Sequence, residues 1–174
     1  MNVQLLVIAL FQIVAGLVLG TAILFFGFKI MRFWLKKSFK IEKLNEATTV
    51  LLSATLFAIG LFLKTIIEPL INTFQRLQKI TKDILYIIPQ GGLYTLVYFS
   101  LAAVFSFIVV FISSLLFTLF TTQIDEMEEI RKNNWGIALL LGVVIIVISL
   151  IVSDGFRLLI ESLIPFPKLP KRVS

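Results

Sequence analysis

Apolar residues run through this chain in four long blocks, set apart by charged segments and by one stretch of mixed character. No charge occurs from Met1 to Phe28, from Ala47 to Leu63, from about Leu93 to Thr122, or from Asn133 to Ser153. An apolar helix of about 20 residues, rising about 1.5 Å per residue, matches the roughly 30 Å hydrocarbon layer of a bilayer. The pattern therefore predicts four membrane-spanning helices, at about Leu5 to Phe28, Ala47 to Leu63, Leu93 to Thr122 and Asn134 to Ser153. The third is the longest, and at about 45 Å it must tilt or project beyond the lipid.

Between the second and third blocks, Leu70, Ile71, Phe74, Leu77, Ile80, Ile84 and Leu85 recur at three- and four-residue steps opposite Gln75, Arg76, Lys79, Lys82 and Asp83. This predicts one amphipathic helix from Leu70 to Ile88, too polar to span and suited to the membrane face or to a neighbouring subunit. Pro89, Gln90, Gly91 and Gly92 are expected to end it. After the fourth block, Phe156, Leu159, Ile160, Leu163 and Ile164 form a second amphipathic segment, and Pro165, Pro167 and Pro170 lead the chain away from it.

The expected fold is thus an all-α integral membrane protein of four transmembrane helices in two tandem helical hairpins. Its single domain divides into residues 1–69, the connection 70–92, residues 93–164 and a basic, proline-rich tail at 165–174.

Composition narrows the class. With 59% hydrophobic residues and a mean hydropathy of +1.03, the chain is well above the roughly 45–50% apolar content of soluble domains. Cys and His are both absent, which removes thiolate chemistry, imidazole acid–base work and most zinc or iron sites. No cofactor is expected, and an enzyme is the least favoured class. The net charge of +6 does not point to nucleic acid, because most of the Lys and Arg flank apolar blocks, where they serve topology and anionic head groups.

Lys29, Arg32, Lys36, Lys37, Lys40 and Lys43 crowd behind the first block among Phe28, Phe33, Trp34 and Phe39. The positive-inside rule assigns this segment to a cytoplasmic loop. Topology alone accounts for it, ahead of a phosphoinositide or nucleotide site. Four spans then put both termini outside, and a first block with no basic residue ahead of it is expected to stay as a helix, not a cleaved signal. The sixteen Lys and Arg divide eight and eight between the two sides so defined, and the dense cluster decides the orientation. Lys64, 17 residues from the inner boundary, falls at the far interface as an anchor, with Glu68 as its i,i+4 partner.

Asp125, Glu126, Glu128 and Glu129 form an acidic turn. It lacks the alternating oxygen ligands and glycine of a calcium loop, so it is expected to be a solvated start to the fourth helix, favoured by the helix dipole, and not a metal site. Small or hydroxylated residues recur on single helix sides: Gly16 and Gly20, Gly20 and Gly27, Ser53 and Gly60, Ser106 and Ser113, Gly142 and Ser149. Close helix packing explains them more readily than a water path, and for the first glycines packing inside one subunit is favoured over a subunit-joining side.

The run Lys64 to Ile71 agrees with the run Arg157 to Ile164 at Ile67 and Ile160, Glu68 and Glu161, Leu70 and Leu163, and Ile71 and Ile164. Lys64 is matched by Arg157. This is the mark of an internal duplication, two two-helix units in the same orientation about an axis along the membrane normal.

From the third block onward, Asp125, then Glu129 through Asn134, then Ala138 and Gly142, resemble the bacterial family known as domain of unknown function 350, the YjfL-like membrane proteins. There an acidic turn leads through an Ile-x-x-x-Asn element into a span rich in Ala and Gly, and the two-helix unit occurs twice. Ile146 stands where a second Gly is usual, the first copy keeps only Ile41, Glu42 and Asn45, and the connection from Leu70 to Ile88 is long. The resemblance implies a multi-pass protein of the bacterial inner membrane and brings no established activity with it.

Two functions compete. One is a non-enzymatic, homo-oligomeric scaffold that docks a soluble cytoplasmic partner on the basic segment and the acidic turn. The other is a channel whose pore lies between subunits of a ring, lined by hydroxyls such as Ser106, Ser113 and Thr118. A secondary transporter is disfavoured because no charge sits at mid-span.

Overall fold

A computed structural model describes residues 3–41, 43–121 and 125–163. The described residues form six helices: α1 Val3–Phe39, α2 Glu46–Thr65, α3 Ile67–Ile80, α4 Ile84–Phe120, α5 Glu126–Arg131 and α6 Trp135–Leu163. Four stretches are long and apolar enough to cross a membrane, Leu5–Lys37, Glu46–Ile80, Ile84–Phe120 and Trp135–Leu163, the pattern of a multi-pass membrane protein. The proline-rich basic tail and Ile164 lie outside the described residues.

The centre is the pair α2 and α6, which share the broadest interface in the chain. They lie side by side in the same direction. Ala47 at the start of α2 bonds to Asn133 just ahead of α6, Gly142 faces Ala54 midway, and Glu68 just beyond α2 meets Arg157 near the end of α6. Gly142 is required here: a Cβ on it would stand 2.8 Å from that of Ala54, and neither can rotate away. α4 packs on both central helices. Aromatic rings fill the junction, with Phe105 stacked on Phe156 at 4.4 Å and Phe62 edge-on to both.

The fourth span does not end at Ser153, since α6 runs unbroken through the expected amphipathic segment to Leu163, and in three further places helix ends differ from expectation for a chemical reason. The amphipathic stretch is not one helix to Ile88. It stops at Ile80, and α4 begins at Ile84. The Asp83 carboxylate caps α4 by accepting from Leu85 N at 2.9 Å, and Thr81 Oγ1 accepts from Asp83 N. Pro89 to Gly92 lie inside α4, not at a helix end. Pro89 removes one donor near the start of the helix, and Gly91 leaves room for the Phe74 ring of α3, which a Cβ would strike.

The second difference is that α1 does not end with the first apolar block. It continues for nearly three turns, so Lys29, Arg32, Lys36 and Lys37 ride on a helix and only Lys40 and Lys43 occupy the connecting loop. At 37 residues, α1 and α4 each extend about 55 Å, well beyond the hydrocarbon layer.

Third, the acidic turn is not the start of the fourth helix. It forms the separate helix α5, and Asn133 at φ 70° turns the chain between α5 and α6.

α3 buries Pro69, Leu70, Thr73, Phe74 and Leu77 and exposes Gln75 and Arg76. Pro69 explains why α3 is separate from α2, since it has no N–H to offer the carbonyl four residues back. α1 is the least enclosed spanning helix, with only 6% of its apolar window buried.

A candidate functional site at the charged end

At one end of the bundle the end of α1, the start of α2, α5 and the start of α6 come together around Met31, Leu35, Ile41, Met127 and Ile130. Two asparagines fasten this end. Asn45 caps α2 by accepting from Thr48 N at 2.7 Å, while Thr48 Oγ1 accepts from Asn45 N, a reciprocal capping box. The same Asn45 uses Nδ2 to donate to the carbonyls of Ile130 at 2.9 Å and Arg131 at 3.3 Å. Asn133 Oδ1 in turn accepts from Ala47 N at 3.1 Å. Each turn thus supplies a polar group that the other needs.

Ile41 and Asn45 in the first turn correspond to Ile130 and Asn134 in the second, at the same four-residue spacing. Both isoleucines are buried, and Asn134 Oδ1 accepts from Ile137 N in the first turn of α6 as Asn45 does for α2. Glu42 lies outside the described residues.

The four carboxylates of the acidic turn have three distinct environments. Asp125 is exposed and caps α5, accepting from Glu128 N. Glu128 forms a two-point ion pair with Arg131 at 2.6 and 2.7 Å. The Arg131 guanidinium holds the Glu128 carboxyl below the usual carboxylate range, and Glu128 raises Arg131 in return. Glu129 accepts from Asn134 Nδ2 and lies 3.5 Å from Lys132.

Glu126 departs from the solvated turn expected of it. It is 3% exposed, its Oε1 has no hydrogen-bond partner, and its Oε2 receives a long 3.4 Å bond from Thr118. Its burial follows from α5 lying against the other helices instead of projecting into water. It lines a cleft of about 330 Å³ with Trp34, Phe111, Leu115 and Thr118. Among the described residues no group of three metal-ligating side chains occurs.

Of the basic segment, Arg32, Lys36, Lys37, Lys40 and Lys43 are all exposed, and Lys37 covers the Phe33 ring. At the opposite end, Glu68 is not paired with Lys64 as expected; its partner is Arg157 of α6 at 2.7 Å. Lys64 is exposed in the cleft that also holds Glu68, Asp154 and Arg157. Deeper in, the hydroxyls of Thr73 and Tyr98 meet at 3.1 Å between α3 and α4.

The small residues separate into two groups. Ser106, Ser113, Gly142 and Ser149 are buried, with the Ser106 and Ser113 hydroxyls bonded to carbonyls of their own helix. Gly27 is packed as well, facing Ile59. Gly16, Gly20 and Gly60 have no atom within 4 Å of where a Cβ would stand, and Ser53 is exposed.

A family model described as Domain of Unknown Function (DUF350) matches residues 4–156. No curated protein and no solved structure matches the chain.

Proposed function

The chain belongs to the DUF350 family, and from that membership and the open side of α1 we propose that it is a non-enzymatic, homo-oligomeric scaffold of the bacterial inner membrane. The observation that carries this is Gly16 and Gly20. Glycines four apart on a spanning helix permit close backbone approach, yet among the described residues no other helix comes within 4 Å of where a Cβ on either would stand. A second copy is the natural partner for such a side. This reverses the order of the two explanations that the sequence alone supports for these glycines.

In this arrangement the two-helix units act as tandem hairpins, α1 with α2 and α4 with α6. The charged end faces the cytoplasm and both termini face outward. Exposed Arg32, Lys36, Lys37, Lys40 and Lys43 sit beside anionic lipid head groups, and the fastened end with α5 offers a fixed surface to a cytoplasmic protein. A channel between subunits draws no support from Ser106 and Ser113, which are enclosed within the chain.

The test is native mass spectrometry of the detergent-solubilised protein and of a Gly16→Leu, Gly20→Leu double variant. An oligomer for the unaltered chain and a monomer of unchanged helicity for the variant are expected. A monomer in both, or an oligomer indifferent to the substitutions, would overturn the proposal.

A further inference from the structure

Glu126 is the only charged side chain buried among the described residues. A carboxylate removed from water costs several kcal/mol unless donors meet it, and Oε1 meets none. No Lys or Arg among the described residues forms an ion pair with it, because the cations of its own helix and turn are taken by Glu128 and Glu129. An orphaned buried acceptor of this kind calls for a donor from outside the chain.

The surroundings narrow what that donor is. The Glu126 cleft shares Trp34, Phe111 and Ser114 with a second, nearly all-apolar cleft of about 150 Å³ that continues between α1 and α4 past Ile30 and Phe107. Two carboxylates, buried Glu126 and exposed Asp125, thus stand at the head of a trough with aromatic walls. A divalent metal finds too few ligands here: the Ser114 hydroxyl is committed to Val110 O, and among the described residues no group of three metal-ligating side chains occurs. An anion is repelled. A neutral hydrocarbon would fill the trough and leave Oε1 without a donor.

We propose that Glu126 and this trough bind a primary ammonium group carried on an apolar body. The ammonium N–H donates to Oε1, and the apolar body lies along Phe111 and Trp34, with the positive charge near the indole face. Binding does not depend on the oligomeric state. Two sources share this chemistry, an aminophospholipid head group with its chains and a soluble alkylamine.

The test uses the full chain carrying Trp135→Phe, which leaves Trp34 as the sole tryptophan. In detergent, n-octylammonium should change Trp34 emission saturably. Octyltrimethylammonium, which has the same charge and tail but no N–H, should bind at least tenfold more weakly, and octanol likewise. Glu126→Gln should weaken octylammonium at least tenfold, Leu115→Phe should also weaken it by narrowing the trough while leaving Trp34 the sole tryptophan, and Glu129→Gln, a partly exposed carboxylate outside the cleft, should leave it within twofold. Far-UV circular dichroism of each variant verifies folding. Equal binding of the primary and quaternary ammonium ions, or binding indifferent to both Glu126→Gln and Leu115→Phe, would overturn the proposal. In nanodiscs, an emission shift with phosphatidylethanolamine but not phosphatidylcholine identifies the lipid as the source. Octylammonium binding of equal strength in both membranes identifies a soluble amine.

Discussion

Replacing Asn45 tests how the two turns hold each other. Asn45→Ala removes the acceptor that caps α2, a bond of 2.7 Å, and the donor that reaches the Ile130 and Arg131 carbonyls on α5. Loss of an Asn cap costs about 1 kcal/mol, and loss of a bridging hydrogen bond about 1 kcal/mol more. No desolvation penalty adds to this, because the Ile130 carbonyl keeps its bond from Asn133 N and the bond to Arg131 is already exposed. The sum is about 2 kcal/mol. Asn45→Ser keeps a cap acceptor and discards the donor without setting a carboxylate against those carbonyls, so about 1 kcal/mol is expected. Equilibrium unfolding in mixed micelles with rising dodecyl sulfate, followed by circular dichroism at several wavelengths, measures both. Equal losses for the two variants would show that the cap contributes nothing. Losses below about 0.5 kcal/mol for both would refute the reasoning, because surface substitutions away from special contacts have effects of that size.

Other substitutions probe separate parts of the bundle. Gly91→Ala should destabilise by about 1–3 kcal/mol through overpacking against Phe74, and Phe74→Leu should recover part of that loss in the same unfolding assay. Gly142→Ala should likewise destabilise the α2–α6 contact, whereas Gly16→Ala should leave the stability of the monomer unchanged, as read from melting midpoints. Glu68→Gln should cost under about 1 kcal/mol, and the effect should fade in high salt, since Glu68 is exposed and Arg157 partly so. Because Arg131 depresses the Glu128 carboxyl in the folded state, its contribution is present above the ordinary carboxylate value and is lost as pH falls through the lower folded value. The melting midpoints of the unaltered chain and Glu128→Gln should therefore differ near neutrality and converge in acid.

Four apolar blocks were legible because a bilayer demands length and apolarity, and both are written directly in composition. The starts of α2 and α6 lie within one residue of the expected Ala47 and Asn134 for that reason. The α3–α4 junction falls at Thr81 to Asp83 and not at Pro89 and the adjacent glycines, which α4 accommodates in its first turns. Thr81 and Asp83 are both cap and turn formers, and they mark the break. Gly91 is a packing residue, and only the position of Phe74 reveals that. The Lys64–Glu68 pairing failed because Pro69 interrupts the helix that would have set them in register, leaving Glu68 to Arg157. The burial of Glu126 could not be read from the other carboxylates of the turn, which are exposed or paired. It depends on how α5 meets α1 and α4, a long-range matter. One signal was available: the Ile-x-x-x-Asn spacing at Ile41 to Asn45 repeats at Ile130 to Asn134, and within it Asn45 bonds to Ile130 across the two turns, while the second bond between them comes from Asn133.

If α2 and α6 cross the membrane in the same direction, Lys40 and Lys132 lie on one side and Lys82 on the other. The chain has no cysteine, so single Lys40→Cys, Lys132→Cys and Lys82→Cys variants can be treated with an impermeant maleimide in sealed vesicles of one orientation. The expected result is that the first two label from the same side and Lys82→Cys only from the opposite one. Labelling of Lys40→Cys and Lys132→Cys from opposite sides would contradict the parallel α2–α6 core on which the rest depends.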